Sequence, residues 1–108
     1  MELMKEQRYF LKLFEETTPA QRKSLLLAIT RPQIRALSQI AHNVIKFTIR
    51  LKPEEKKKLR RYRRVLHLLG DKKAGFDVKR RAIVDKAKLI YELTRLALTY
   101  LEPALWTN

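Results

Sequence analysis

The chain has 108 residues, of which 25 are Lys or Arg and 11 are Asp or Glu, so its formal net charge at neutral pH is +14. It contains no cysteine and only two histidines, which excludes disulfides and thiolate metal sites, and we expect neither a metal nor another cofactor. With 45% hydrophobic residues, a chain of this length predicts a single helical domain over residues 1–108, and its charge predicts a polyanionic partner.

Apolar residues recur at helical spacing along the chain, and no segment alternates with period two for long enough to predict a sheet. The pattern therefore predicts an all-α fold, a compact bundle of about five helices. The first residues, Met1–Glu6, lack the pattern of a signal peptide, and no stretch approaches the roughly 20 apolar residues of a membrane span. We expect an intracellular protein, located in a nucleus or a virion, that is not secreted and has no transmembrane segment.

The first three predicted helices are separated by two capping boxes. The first helix covers about residues 2–16 and directs these side chains toward a core: Leu3, Tyr9, Phe10, Leu13 and Phe14. Thr18 and Gln21 then predict a short helix to about Ile29. Thr30 and Gln33 repeat the signal and predict a longer helix to about Phe47, with Ile34, Leu37, Ala41, Val44 and Ile45 on its apolar face.

The fourth predicted helix is strongly basic on one side. It starts at Pro53 and ends at Gly70, where we expect the left-handed conformation. Residues 56–64 carry seven cations in nine positions. The apolar face of this helix consists of Leu59, Tyr62, Val65, Leu66 and Leu69. Most of the remaining circumference carries six cations, which we call the basic ridge: Lys56, Lys57, Arg60, Arg61, Arg63 and Arg64.

After a loop, Asp77 is a candidate cap for the last predicted helix, about residues 78–102, which Pro103 ends. Apolar residues cover roughly two thirds of its circumference. Such a helix either lies at the centre of the bundle or is shared with a second copy. A homodimer through residues 78–102 is therefore a candidate assembly.

The basic ridge is the first candidate site because Lys and Arg neutralise phosphates. Further cations precede the ridge (Arg50 and Lys52) and follow it around the Gly70 turn (Lys72, Lys73, Lys79, Arg80 and Arg81), and we expect antiparallel packing to join the two sides of that turn into one patch. Four of these flanking cations are candidate nucleic-acid-binding residues together with the ridge: Lys72, Lys73, Arg80 and Arg81. A solvated helix face is the alternative interpretation. Such faces usually mix charges of both signs, whereas residues 56–64 contain no acid.

The third predicted helix is a second candidate site. Arg35, Gln39, His42 and Lys46 project from it within about 60° of each other. Together with the short helix before it, the segment resembles a helix-turn-helix, in which Arg35 and Gln39 would read base edges. The alternative is an ordinary exposed polar face.

Two aromatic residues, Tyr62 and Trp106, are candidate base-stacking platforms. Tyr62 lies between arginines, but its place on the apolar face favours packing in the core. Trp106 is better explained as a lid on the bundle or a contact to a partner. The acidic residues are dispersed and the two glycines form no phosphate-binding loop, so we do not expect an enzyme.

Three segments of the chain carry a resemblance to known proteins: Thr18–Leu26, Ile34–Lys46 and Leu51–Leu69. They resemble small basic proteins encoded by Polinton-like and adintovirus-like DNA elements of animals. The resemblance covers roughly residues 8–73, and it implies an origin in a virus-like element and a role beside its DNA or capsid, as a virion-core or DNA-packaging protein. The sequence departs from that pattern at Phe47 and Arg50, where a glycine and a proline are expected, and the helix from Asp77 has no counterpart.

The leading hypothesis is a non-enzymatic nucleic-acid-binding protein that contacts phosphates largely without regard to sequence, with double-stranded DNA as the favoured partner. The second is a helical protein-interaction or oligomerisation module, associated with a capsid or scaffold, whose basic face is incidental. A peripheral membrane protein is a third class, because basic amphipathic helices also bind anionic lipid.

Overall fold

The computed structural model of the protein describes residues 6–46 and 51–101. These residues form seven α-helices and no strand, so the all-α class is confirmed, while the expected count of about five helices is wrong. In chain order, the helices are α1 (Arg8–Glu16), α2 (Pro19–Leu27), α3 (Arg31–Ile45), α4 (Pro53–Arg60), α5 (Arg63–Gly70), α6 (Phe76–Ile83) and α7 (Ala87–Leu96). A π-helical turn, Ala97–Leu101, follows α7.

Both capping boxes are confirmed. The N–H of Thr18 donates to Gln21 Oε1 at 2.9 Å, and the N–H of Gln21 donates to Thr18 Oγ1 at 3.3 Å. Thr30 and Gln33 form the same pair of bonds, at 3.0 and 3.3 Å. Because each box satisfies free N–H groups at a helix start, α2 and α3 begin where the sequence predicts.

The centre of the fold is α7, which packs against α1, α2 and α3. Its apolar side chains are buried by the chain's own helices: Leu89, Ile90, Leu93 and Leu96 are each 0% exposed. Of the two arrangements that the sequence allowed for this segment, the structure shows the central one. The described residues of α7 therefore leave no broad apolar face for a second copy.

The buried face of the first helix includes two of the predicted core residues, Phe10 and Phe14, but not Tyr9 or Leu13. Phe10, Leu11 and Phe14 lie in the core, whereas Tyr9 is 79% exposed and Leu13 is 36% exposed. The buried stripe of α1 is centred near Phe14 and extends to Leu11 instead of Leu13, and α1 packs against α7. The expected core residue Leu3 lies outside the described residues.

The predicted basic helix is two helices. The N–H of Tyr62 donates to the carbonyl oxygen of Leu59 at 2.9 Å, a tight three-residue bond that separates α4 from α5. The two helices have different partners, since α5 packs along α3 while α4 is hydrogen-bonded to α7 through Glu55. One straight helix would not pack along α3 and also reach α7.

The predicted last helix is also divided, into α6, α7 and the π-helical turn. A straight helix of roughly 25 residues would be about 37 Å long, whereas the longest dimension of the fold is 31 Å. The chain turns after Ile83, whose carbonyl oxygen accepts a hydrogen bond from the N–H of Lys86 at 2.8 Å. Gly75, not Asp77, occupies the cap position of α6.

Gly70 does not adopt the expected left-handed conformation. It is the last residue of α5 and lies directly against α3. A Cβ atom at this position would be 3.3 Å from both the backbone nitrogen of His42 and Cδ1 of Ile45. A glycine is therefore favoured here by the close approach of two helices.

Candidate nucleic-acid interface

The basic ridge is anchored by the apolar face predicted for it. Leu59, Leu66 and Leu69 are 5% exposed or less, and Tyr62 and Val65 are partly buried against the same core. The expectation that Tyr62 packs in the core is confirmed. Burial of these side chains turns the opposite surfaces of α4 and α5 outward.

A buried carboxylate fixes the start of α4. Glu55 Oε1 accepts the N–H of Lys52 at 3.1 Å, and Glu55 Oε2 accepts Nη2 of Arg95, on α7, at 3.0 Å. Arg95 Nη2 also donates to Glu92 at 3.0 Å. These bonds raise the pKa of Arg95 above its ordinary value, Glu92 contributing most. The network ties the helix that carries the first ridge residues to the central helix of the fold.

All six cations of the basic ridge are exposed. Within residues 6–46 and 51–101, none of them forms an ion pair or a side-chain hydrogen bond. Lys57, Arg60 and Arg61 border one shallow depression together with Glu54. Arg60 also belongs to the rim of a neighbouring groove, so the ridge spans two adjoining surfaces.

That neighbouring groove has an apolar floor and a cationic rim, and its volume is about 580 Å³. Leu51, Leu59 and Leu66 contribute to the floor, while Arg63 and His67 contribute to the rim. An apolar floor beside cations suits an amphipathic acidic segment as well as it suits a phosphate chain. The surface next to the ridge is therefore chemically mixed.

The four flanking cations lie in different surroundings. Lys72 and Lys73 are exposed in the loop after α5, and Arg81 is exposed on α6. Arg80 is engaged within the protein, because its Nη2 donates to the carbonyl oxygen of Leu27 at 2.9 Å, at the end of α2. Arg80 therefore connects α6 to the end of α2, and it also contributes a positive charge to this surface.

The polar face of α3 is one wall of a concave pocket. Arg35, Gln39 and His42 line it from α3, and Phe76 and Lys79 line it from α6. We call it the α3–α6 pocket; its volume is about 370 Å³. A recognition helix projects into a groove about 12 Å wide. Arg35 is exposed and Gln39 is partly buried on this wall, and base reading by these two side chains stays a prediction.

The convergence of residues in this pocket was not among the features predicted from the sequence. Arg31 stacks on the ring of Phe76, with its guanidinium carbon 4.8 Å from the ring centroid. Lys79 is 7% exposed, and its Nζ donates to Ser38 Oγ at 3.0 Å. A signal was present, because Phe76, Lys79 and Ile83 share the buried face of α6 at helical spacing.

In the described parts of the chain, no three histidine or acidic side chains come together as a metal site requires. No helix there is long and apolar enough to cross a membrane. Trp106, a candidate lid or partner contact, lies outside the described residues. Comparison of the chain with protein-family models, curated proteins and solved structures gave no match.

Proposed function

We propose that this protein is a non-enzymatic nucleic-acid-binding protein that contacts the phosphates of double-stranded DNA through the basic ridge. One observation carries the proposal: six exposed cations lie together on α4 and α5, and none is paired with an acid in the described structure. Cations that only solubilise a helix are usually interleaved with acids. A surface of one sign is favourable when a polyanion covers it.

Affinity in this proposal comes from the release of counterions. A site that neutralises six phosphates on duplex DNA gives a slope of about −5 for the logarithm of affinity against the logarithm of salt concentration. Because phosphates repeat along any duplex, the contacts carry no sequence preference. A packaging role in a virion core, which the resemblance to virus-like elements suggests, likewise requires binding to DNA of any sequence.

Fluorescence polarisation with two labelled duplexes of unrelated sequence, from about 50 to 300 mM salt, tests the proposal. We expect equal affinities and equally steep slopes for the two duplexes. The variant in which Arg60, Arg61, Arg63 and Arg64 are all replaced by Gln keeps two ridge cations. The salt dependence of its affinity should therefore be weaker, with a slope of about −2 instead of about −5.

A charge-matched variant is the control, with four cations outside the ridge replaced by Gln: Lys12, Lys23, Lys86 and Lys88. Both variants have a formal charge of +10, four less than the +14 of the parent chain. The control should retain a slope near −5. Equal losses in the two variants, or a parent slope near −1, would show that the ridge is not a phosphate-binding surface.

The groove with the apolar floor favours a second candidate, a module that binds an acidic amphipathic segment of a capsid or scaffold protein. Such binding would bury apolar area and would depend less on salt than duplex binding does. Weak duplex binding at low salt would favour this candidate. It would then direct mutagenesis to Arg63 and His67 on the groove rim.

A further inference from the structure

Lys79 is a buried cation that forms no ion pair with an acid among the described residues. Its Nζ contacts Ser38 Oγ, and the Ser38 hydroxyl in turn donates to the carbonyl oxygen of Ile34 at 2.9 Å. Two of the three N–H groups of the ammonium are thus left without a described protein acceptor. Burial lowers the pKa of Lys79, although the charge of Asp71 acts in the opposite direction. A buried charge of this kind costs stability unless a ligand compensates it.

Among the described residues, the lining of the α3–α6 pocket contains four cations and no carboxylate. Arg31 and Arg35 come from α3, Lys72 from the loop after α5, and Lys79 from α6. None of the four forms an ion pair among the described residues. The cations therefore converge on one cavity from three parts of the chain, which favours an anion there.

The other lining residues define what the anion is attached to. Gln39 and Ser38 offer neutral polar groups, and Phe76 offers an aromatic ring on which Arg31 is already stacked. A cavity of about 370 Å³ falls in the range of small-molecule sites. It has room for a phosphate together with an attached ring.

We propose that the α3–α6 pocket binds a phosphate monoester, supplied either by a free nucleotide or by the phosphorylated end of a nucleic-acid strand. A terminal phosphate is dianionic at neutral pH and enters a pocket from one side. A backbone phosphate carries one charge and continues in both directions, which suits an open ridge. The pocket shares no lining residue with the basic ridge, so the proposal holds whether or not the ridge binds DNA.

Isothermal titration calorimetry of the whole chain, at about 150 mM salt to weaken surface electrostatics, tests the proposal with adenosine 5′-monophosphate and adenosine as probes. We expect the nucleotide to bind at least about tenfold more tightly than the nucleoside, as the gain of hydrogen bonds to charged groups implies. Lys79→Met should remove most of this difference. Arg35→Gln changes an exposed side chain, so we expect the fold to be retained, and it should weaken nucleotide binding in the same direction.

The control is Lys12→Met, which removes an exposed cation on α1 and should leave nucleotide affinity unchanged. A pair of single-stranded oligonucleotides with a 5′-phosphate or a 5′-hydroxyl then distinguishes the sources. Tighter binding of the phosphorylated strand, lost in Lys79→Met, would identify a strand end; equal binding would identify a free nucleotide. The proposal is overturned if the nucleotide binds no better than adenosine, or if Lys79→Met and Arg35→Gln both bind it like the parent chain.

Discussion

Replacing Glu55 by Gln should destabilise the fold measurably, because this side chain is 8% exposed and its two oxygens hold the start of α4. One oxygen accepts the N–H of Lys52 and the other accepts Arg95. Glutamine retains one acceptor but places an NH₂ group where the second oxygen was. Two donors would then face each other at the Arg95 position.

The magnitude follows from the type of bond that is lost. A hydrogen bond to a charged partner contributes about 1.5–3 kcal/mol. Arg95 keeps its bond to Glu92 and its side chain is 30% exposed, so we expect the lower end, about 1.5 kcal/mol. For a domain of this size, that corresponds to a decrease in Tm of roughly 6–12 °C. Thermal unfolding followed by circular dichroism measures it.

Glu54→Gln is a closely matched control, since Glu54 is the adjacent residue, is exposed, and also lies in the first turn of α4. Both changes remove one negative charge near the same helix N-terminus, so the effects of the helix dipole and of net charge are shared. Only Glu55→Gln removes the buried bond to Arg95. If the two variants unfold within about 2 °C of each other, the buried network does not stabilise the fold as we argue.

Three further predictions concern packing and charge. Gly70→Leu should destabilise the protein by about 2 kcal/mol or more, because even a Cβ atom at this position would lie 3.3 Å from α3. At Gly75 an added Cβ would meet nothing within 4 Å, so Gly75→Leu should change the free energy of unfolding by no more than about 1 kcal/mol. Urea unfolding measures both. Lys79→Met should be more stable than the parent chain near pH 8. Burial lowers the pKa of Lys79 in the folded state, so the parent chain gains stability as the pH rises from that lowered pKa toward about 10.5, the value in the unfolded chain. The difference in stability between the two proteins should therefore narrow over this range. A constant gap between about pH 8 and 10, or an equal effect of Lys12→Met, would contradict this explanation. Tm should rise with added sulfate, because anions relieve the repulsion within a chain of charge +14; a Tm independent of sulfate would show that this repulsion is small.

Features that depend only on residues close together in the sequence were predicted correctly. Thr18 with Gln21, and Thr30 with Gln33, form capping boxes as predicted, because both partners lie within one helical turn. The exposed ridge was predictable for the same reason, since the position of Leu59 and Leu66 on one face assigns the cations to the other.

The predictions that were wrong required knowledge of what each helix packs against. Helical spacing placed Leu13 and Tyr9 in the core, but the buried stripe of α1, which packs against α7, extends to Leu11 instead. Spacing likewise could not show that the long predicted helices bend at Tyr62 and after Ile83, because an uninterrupted helix is the better local solution at both places. A straight helix through Tyr62 would not contact both α3 and α7, and a straight helix through Ile83 would be longer than the longest dimension of the fold.

By itself, then, the sequence determined the all-α class, three helix starts, at Pro19, Arg31 and Pro53, and the outward direction of the basic ridge, because local hydrogen bonding and hydrophobic periodicity decide these. The tertiary structure decided how distant segments meet. Arg95 reaches Glu55 across 40 positions, and Lys79 reaches Ser38 across 41 positions. Such contacts depend on the packing of whole helices. For that reason the anchoring of α4 and the cationic α3–α6 pocket became visible only in the folded chain.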